Sequence, residues 1–126
     1  MVSTGLNTLS YQVIGCAYKV HRTLGPGLLE STYETCLCYE LDTLGLKYER
    51  QKPISINYNG NIIPNAYRID ILVENAIILE LKSVESVLPI HTAQLITYLK
   101  LANKQLGLLI NFNTENLQDG IKRFVI

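Results

Sequence analysis

Apolar residues recur at intervals of three and four along the first part of the chain, where Leu9, Val13, Ala17, Val20 and Leu24 form one stripe. That spacing predicts an amphipathic helix over residues 7–24, ended by Gly25-Pro26-Gly27. A second helix is expected over 28–43, with Leu29, Tyr33, Cys36, Leu37 and Leu41 inward and Gly45 as its stop. The pattern then changes to short β-branched runs. Residues 46–52, 54–58, 62–72 and 76–83 read as strands, and Asn59-Gly60 is a strong hairpin signal. Pro89 suits the first turn of a third helix reaching about residue 103. A largely apolar strand over 105–111 and an edge strand over 121–126 complete the reading. Helices, then a hairpin-built sheet, then a helix leading to a further strand predict an α/β (α+β) fold, a mixed central sheet flanked by helices.

Length and composition narrow the class. At 126 residues the chain is expected to form one domain, 1–126, and with 48% hydrophobic and 17% charged residues it is globular. Its apolar runs fall far short of the ~20 residues that span a bilayer. No basic stretch followed by an apolar one opens it, so a cytoplasmic protein is expected. Cys16, Cys36 and Cys38 lack metal-site spacing and read as small buried residues, with Cys38 a candidate for partial exposure. Eleven basic and eleven acidic residues give zero net charge, which counts against broad electrostatic binding of nucleic acid. A local cluster of Lys47, Arg50, Lys52 and Lys82 would supply a positive field where overall charge does not.

The chemistry concentrates between Arg68 and Lys82. Asp70 stands ten positions ahead of Glu80-Leu81-Lys82, inside runs of Ile, Leu and Val. Ionised groups cost several kcal/mol to desolvate, so charges in such surroundings pair or bind a cation. Alternation places Arg68, Asp70 and Leu72 on one side of their strand and Ile69, Ile71 and Val73 on the other. If Glu74-Asn75-Ala76 forms a three-residue loop, Asp70 lies across from Glu80 and Arg68 across from Lys82, with the opposite face wholly aliphatic. A two-residue loop without a bulge would instead put Asp70 and Glu80 on opposite faces. The plainer alternative is a half-exposed hairpin carrying ordinary salt bridges.

Other candidates are individually weaker. Glu30 and Tyr33 lie on adjoining turns of the second helix, and His91, Gln94 and Tyr98 share a face of the third. His21 reads either as a capping or core histidine or as a phosphate contact. No nucleophilic triad, phosphate-cradling loop or dinucleotide glycine motif is present.

Taken together, these segments resemble a known family. Gly27-Leu-Leu-Glu30-Ser-Thr-Tyr33 is similar to the signature of the GxxExxY family, and the likeness extends through His21 to Gly27, Arg68-Ile-Asp70, Glu80-Leu-Lys82, His91-Thr-Ala-Gln94 and Gly107 to Phe112. That family is grouped with the PD-(D/E)XK nuclease-like superfamily, whose motif Asp70, Glu80 and Lys82 resemble; Ile69 stands where the superfamily name has proline. Gln94-x-x-x-Tyr98 is similar to the helical motif of the RecB-like and lambda-exonuclease-like branches. The resemblance implies a restriction-endonuclease-like core and a nuclease acting on DNA or RNA. It implies Mg²⁺ or Mn²⁺ held by Asp70, Glu80, the Leu81 carbonyl and Glu30, with Lys82 assisting the attacking water. The substrate contacts it leads us to expect are Gln94, Tyr98, Tyr33, Arg68 and His21. Nucleic acid is the expected partner, with a second copy or another protein supplying further contacts. The rival expectations are a nuclease-fold module that binds without cutting and an enzyme acting on a small phosphorylated molecule.

Overall fold

The computed structural model describes residues 2–126. Helix α1 (Thr4–Leu24) starts three residues earlier than its apolar stripe indicates, because the Ser3 side chain accepts the Leu6 N–H at 3.1 Å and caps the first turn. Helix α2 (Glu30–Thr43) is followed by β1 (Tyr48–Tyr58), β2 (Asn61–Val73), β3 (Ile77–Lys82), α3 (Pro89–Ala102), β4 (Leu106–Asn111), a short 3₁₀ turn (Leu117–Gly120) and β5 (Ile121–Val125). The strands lie in sequence order, β1-β2-β3-β4-β5, all neighbours antiparallel except β3 and β4. That parallel pair is joined by α3, as a crossover connection requires. The sheet is therefore mixed and flanked by helices, as the order of elements predicts. No helix among the described residues is long and apolar enough to cross a membrane.

Two expected strands, 46–52 and 54–58, are one strand, β1. Pro53 does not interrupt it because β1 is the sheet edge and pairs only with β2, where Pro53 sits opposite Arg68. An edge strand tolerates a residue that cannot donate a ladder hydrogen bond. Farther out, Ile54↔Tyr67 gives way to Ile56↔Ile63, so Pro64-Asn65-Ala66 bulge opposite Ser55, with Asn65 at φ +53°.

Each face of the sheet has its own core. Val13, Ala17 and Val20 of α1 and Tyr33, Leu37 and Leu41 of α2 pack on Ile71, Val73, Ile77, Leu79, Leu81, Leu108 and Ile110. On the other face Leu95 and Leu99 of α3 pack on Ile69, Leu72, Ile78 and Leu109. Each such aliphatic side chain contributes about 1.5–3 kcal/mol on full burial. The approach of α3 depends on Gly107, where a Cβ would lie 2.9 Å from Leu95 Cδ1. Cys16 and Cys38 are buried and Cys36 is half-buried, all as free thiols. Burial raises the Cys38 pKa to about 11, which suits a packing role better than a reactive one.

These cores correct the expected face assignment of β2. Ile69 packs with Leu72 on one side and Ile71 with Val73 on the other, so strict alternation fails between Ile69 and Leu72. The break falls at a rung missing from the β1–β2 ladder: Arg50↔Ile71 and Lys52↔Ile69 pair, while Gln51 and Asp70 between them do not. Gln51 adopts φ +47°, a left-handed conformation rare in a non-glycine strand residue.

Candidate active site

The β2–β3 hairpin closes with a three-residue loop, Glu74-Asn75-Ala76, in the register Val73↔Ile77, Leu72↔Ile78 and Ile71↔Leu79. The ladder stops there, and its continuation would set Asp70 opposite Glu80. At that level backbone pairing is replaced by side chains. Asp70 Oδ2 accepts the Leu81 N–H at 2.8 Å, and Glu80 Oε1 accepts the Asp70 N–H at 3.4 Å. Each carboxylate thus receives a backbone N–H from the opposing strand beyond the last paired rung. The two strands separate into a fork, and the fork is filled by two acidic groups.

Burial makes this arrangement costly. Glu80 is 4% exposed. Its pKa is pushed up to about 9, first by burial and then by the negative charge and hydrogen bonding of Asp70, partly offset by the Asp70 N–H and by Lys82. Lys82, half-buried at the end of β3, is the cation whose charge Glu80 feels. Tyr98 of α3 reaches the same region: burial, then the charges of Glu80 and Asp70, raise its pKa. Its ring stacks on Tyr67 with centroids 4.5 Å apart.

On the α2 side, Asp70 Oδ1 receives the Gln51 side-chain amide at 3.4 Å, and the same amide donates to Glu34 Oε1 at 2.6 Å. Glu34 is 8% exposed and is held by Arg50 through Nε at 3.1 Å and Nη2 at 3.0 Å. Gln51, Glu34 and Arg50 therefore anchor Asp70 to α2. Of the three, only Arg50 stands out in the sequence, as part of a positive cluster with Lys47, Lys52 and Lys82, and its guanidinium is paired with Glu34. For the other two the only available signal was Glu34 four residues after Glu30, a spacing that places both on one helix face. Together Glu30, Ser31, Glu34, Gln51, Asp70 and Leu81 line a cavity of about 400 Å³.

The remaining candidates divide clearly. Glu30, the exposed first residue of α2, stands at this cavity with Asp70 and Leu81. Gln94 is exposed on α3. Arg68 is exposed and makes no ion pair among the described residues, and it does not pair with Lys82, because the β2–β3 rungs end at Ile71↔Leu79. Tyr33 and His21, expected as substrate contacts, are committed elsewhere. The Tyr33 ring is fully buried and stacks on Phe112 at 4.4 Å, while its hydroxyl donates to the Gly25 carbonyl at 2.6 Å and accepts the Leu28 N–H at 3.1 Å. It ties down the α1–α2 loop. His21 is buried, with Nε2 2.7 Å from the Thr114 carbonyl oxygen. His91 accepts the Leu88 N–H at 3.0 Å and closes the first turn of α3.

The donor set can be tested against a divalent cation. Among the described residues no three His, Cys, Asp or Glu side chains converge on one point, so Glu30 does not complete a closed cluster with the pair. The pair itself fits in kind, since carboxylate oxygens suit hard cations that retain several waters. A backbone oxygen adds to it. The Lys82 carbonyl turns toward β4, where it accepts the Phe112 N–H at 2.9 Å, so alternation turns the Leu81 carbonyl toward β2 and Asp70. Burial, and after it the charge of Asp70, hold the Glu80 carboxyl toward its protonated form, and a bound cation would favour the ionised one.

No curated protein and no solved structure matched in comparison with this chain. One family model does match, over residues 7–124, and it describes the PD-(D/E)XK nuclease superfamily. That span contains the fork, the helix carrying Tyr98, strands β1 to β4 and all but the last residue of β5, and the chain belongs to the PD-(D/E)XK nuclease superfamily.

Proposed function

We propose that this protein is a metal-dependent nuclease that hydrolyses phosphodiester bonds of DNA or RNA, of the GxxExxY kind and close to the RecB-like and lambda-exonuclease-like branches. The observation that carries this reading is the fork, in which Asp70 and Glu80 each accept a backbone N–H of the opposing strand while Lys82 follows on β3. A salt-bridged surface hairpin would not bury one carboxyl group beside another.

Asp70, Glu80 and the Leu81 carbonyl would hold Mg²⁺ or Mn²⁺, with Glu30 reaching it through water from the cavity rim. The ion, when bound, supplies polarisation of the phosphate and a lowered pKa for an attacking water. Lys82 orients that water and neutralises charge developing on the phosphate oxygens. Gln51 and Glu34 fix the Asp70 carboxylate from behind. Tyr98 and Gln94 face the strand being cut, and Arg68 offers a guanidinium to a neighbouring phosphate. Neutral overall charge is compatible with this reading if recognition is local.

The test is cleavage of labelled single- and double-stranded DNA and RNA with Mg²⁺, Mn²⁺ or EDTA, comparing the native protein with Lys82→Ala. Metal-dependent cutting that disappears in the folded variant supports the nuclease. Metal binding without cutting of any of the four substrates would favour a binding module on the same fold.

A further inference from the structure

The strand that carries Asp70 continues outward into a ribbon. Beyond Ile54↔Tyr67, which packs against α3, β1 and β2 run on as a two-stranded antiparallel ribbon to the Asn59-Gly60 turn. β3 pairs with β2 only at Ile71–Val73, and β1 is the sheet edge, so neither side of the ribbon has a neighbouring strand. Every residue from 55 to 66 is exposed except the half-buried Ile56. Tyr58 is 62%, Ile62 65% and Ile63 41% exposed. Two-stranded ribbons are marginal in water on their own, and exposed apolar groups on one mark a surface that is covered in use.

Charge indicates what covers it. The chain has eleven acidic residues, yet residues 51–69 contain none, and they include Arg68 and Lys52, of which Lys52 is paired with Glu49 and Arg68 makes no ion pair among the described residues. The rest of the ribbon's polar surface is uncharged, supplied by Ser55, Asn57, Asn59, Asn61 and Asn65. A surface without negative charge, bearing side-chain amides, a tyrosine ring and an unpaired guanidinium at its base, complements phosphates and base edges or faces. A two-stranded ribbon is also narrow enough to enter a major groove. At ~3.3 Å per residue, the nine steps from Asn61 to Asp70 place the ribbon tip roughly 20–30 Å from the fork, about six to nine nucleotide steps at 3.4 Å each.

We propose that the β1–β2 ribbon is a nucleic-acid-binding arm that grips the substrate to one side of the bond cut at the fork. The inference rests on the nuclease reading for its choice of ligand, and it adds the part of the molecule that would give a small, neutral protein its grip.

The test uses Tyr58→Ser and Ile62→Glu, two exposed positions whose variants are checked for native circular dichroism and melting temperature. Affinity for labelled DNA and RNA, single- and double-stranded, is measured with Ca²⁺ replacing Mg²⁺, on oligonucleotides of about 20 nucleotides and of about 4, the shorter being unable to span fork and ribbon. The arm predicts about tenfold weaker binding of the long ligand by Tyr58→Ser, a larger loss with Ile62→Glu, and no difference among the three proteins in binding the short one. Unchanged affinity of both variants for long ligands that the native protein binds overturns the arm and leaves the nuclease intact. A native dimer that either substitution converts to a monomer, with nucleic-acid affinity unchanged, assigns the ribbon to a second copy of the chain and also overturns it. Failure of the native protein to bind any of these ligands removes both readings.

Discussion

The two ends of the β2–β3 hairpin use the same two strands for opposite purposes. At the turn end, Val73↔Ile77, Leu72↔Ile78 and Ile71↔Leu79 form an unbroken ladder with both faces buried in aliphatic cores. One residue farther, the ladder is interrupted, and Asp70 and Glu80 take over the hydrogen bonding of the opposing strand with their carboxylates. The closed end provides stability. The open end gives some of it up, since the Glu80 carboxyl is buried beside Asp70, where its ionisation is disfavoured, and Gln51 is held at φ +47° nearby. Strained and charge-frustrated positions persist where the surroundings enforce them, and here a rigid hairpin supplies that enforcement.

Substitutions at the two ends should therefore differ in kind. Leu79→Ala, at the closed end, should lower unfolding free energy by about 2–5 kcal/mol in chemical denaturation, because it removes a fully buried side chain and leaves a cavity. Lys82→Ala, at the open end, should leave the melting temperature nearly unchanged and reduce cleavage about 10²–10³-fold, the usual loss of one group stabilising transition-state charge. A large loss of stability from Lys82→Ala would erase the distinction between the two ends.

Glu80→Gln sharpens it further. In the metal-free protein it should raise stability at neutral pH by about 1–3 kcal/mol while abolishing metal-dependent activity, since folding no longer has to keep a proton on a carboxyl that the unfolded chain ionises. The sign follows from the raised pKa, about 9 in the folded chain against the ordinary 4.5. Below 4.5 both states hold the proton. Between 4.5 and 9 the unfolded chain releases it while the folded chain keeps it, so native stability falls as pH rises through that window. The advantage of Glu80→Gln should accordingly vanish near pH 4.5 and grow toward pH 9 in melting curves recorded with EDTA. A pH-independent difference would remove Glu80 as its source. The smallest effect is expected at Gln51→Ala, about 1 kcal/mol or less in stability with roughly tenfold weaker metal affinity, because it loosens Asp70 without removing a ligand.

The sequence disclosed the fork through one countable feature, the three residues between Val73 and Ile77, which set the register that brings Asp70 and Glu80 to one level. The element order, the third helix starting at Pro89 and the mixed sheet were likewise readable from apolar period and turn chemistry. What escaped it were departures from regularity. The loss of alternation between Ile69 and Leu72 comes from an unpaired Gln51/Asp70 rung, and no residue type there announces a left-handed backbone. Glu34 carries no local signal beyond its spacing from Glu30, because Arg50 and Gln51, which hold it, come from a distant strand. Tyr33 illustrates the reverse: its place in a recognisable motif indicated ligand contact, whereas its ring and hydroxyl are spent on Phe112, Gly25 and Leu28.

The central claim, that the open end of the hairpin is a cation site, is tested most directly by titrating Mn²⁺ into the native protein and Asp70→Asn at pH 7 in two buffers of different ionisation enthalpy. The account predicts one saturable site in the native protein, release of about one proton per ion as Glu80 ionises, and loss of that site in the variant. Equal binding by both proteins, or binding without proton release, would contradict it.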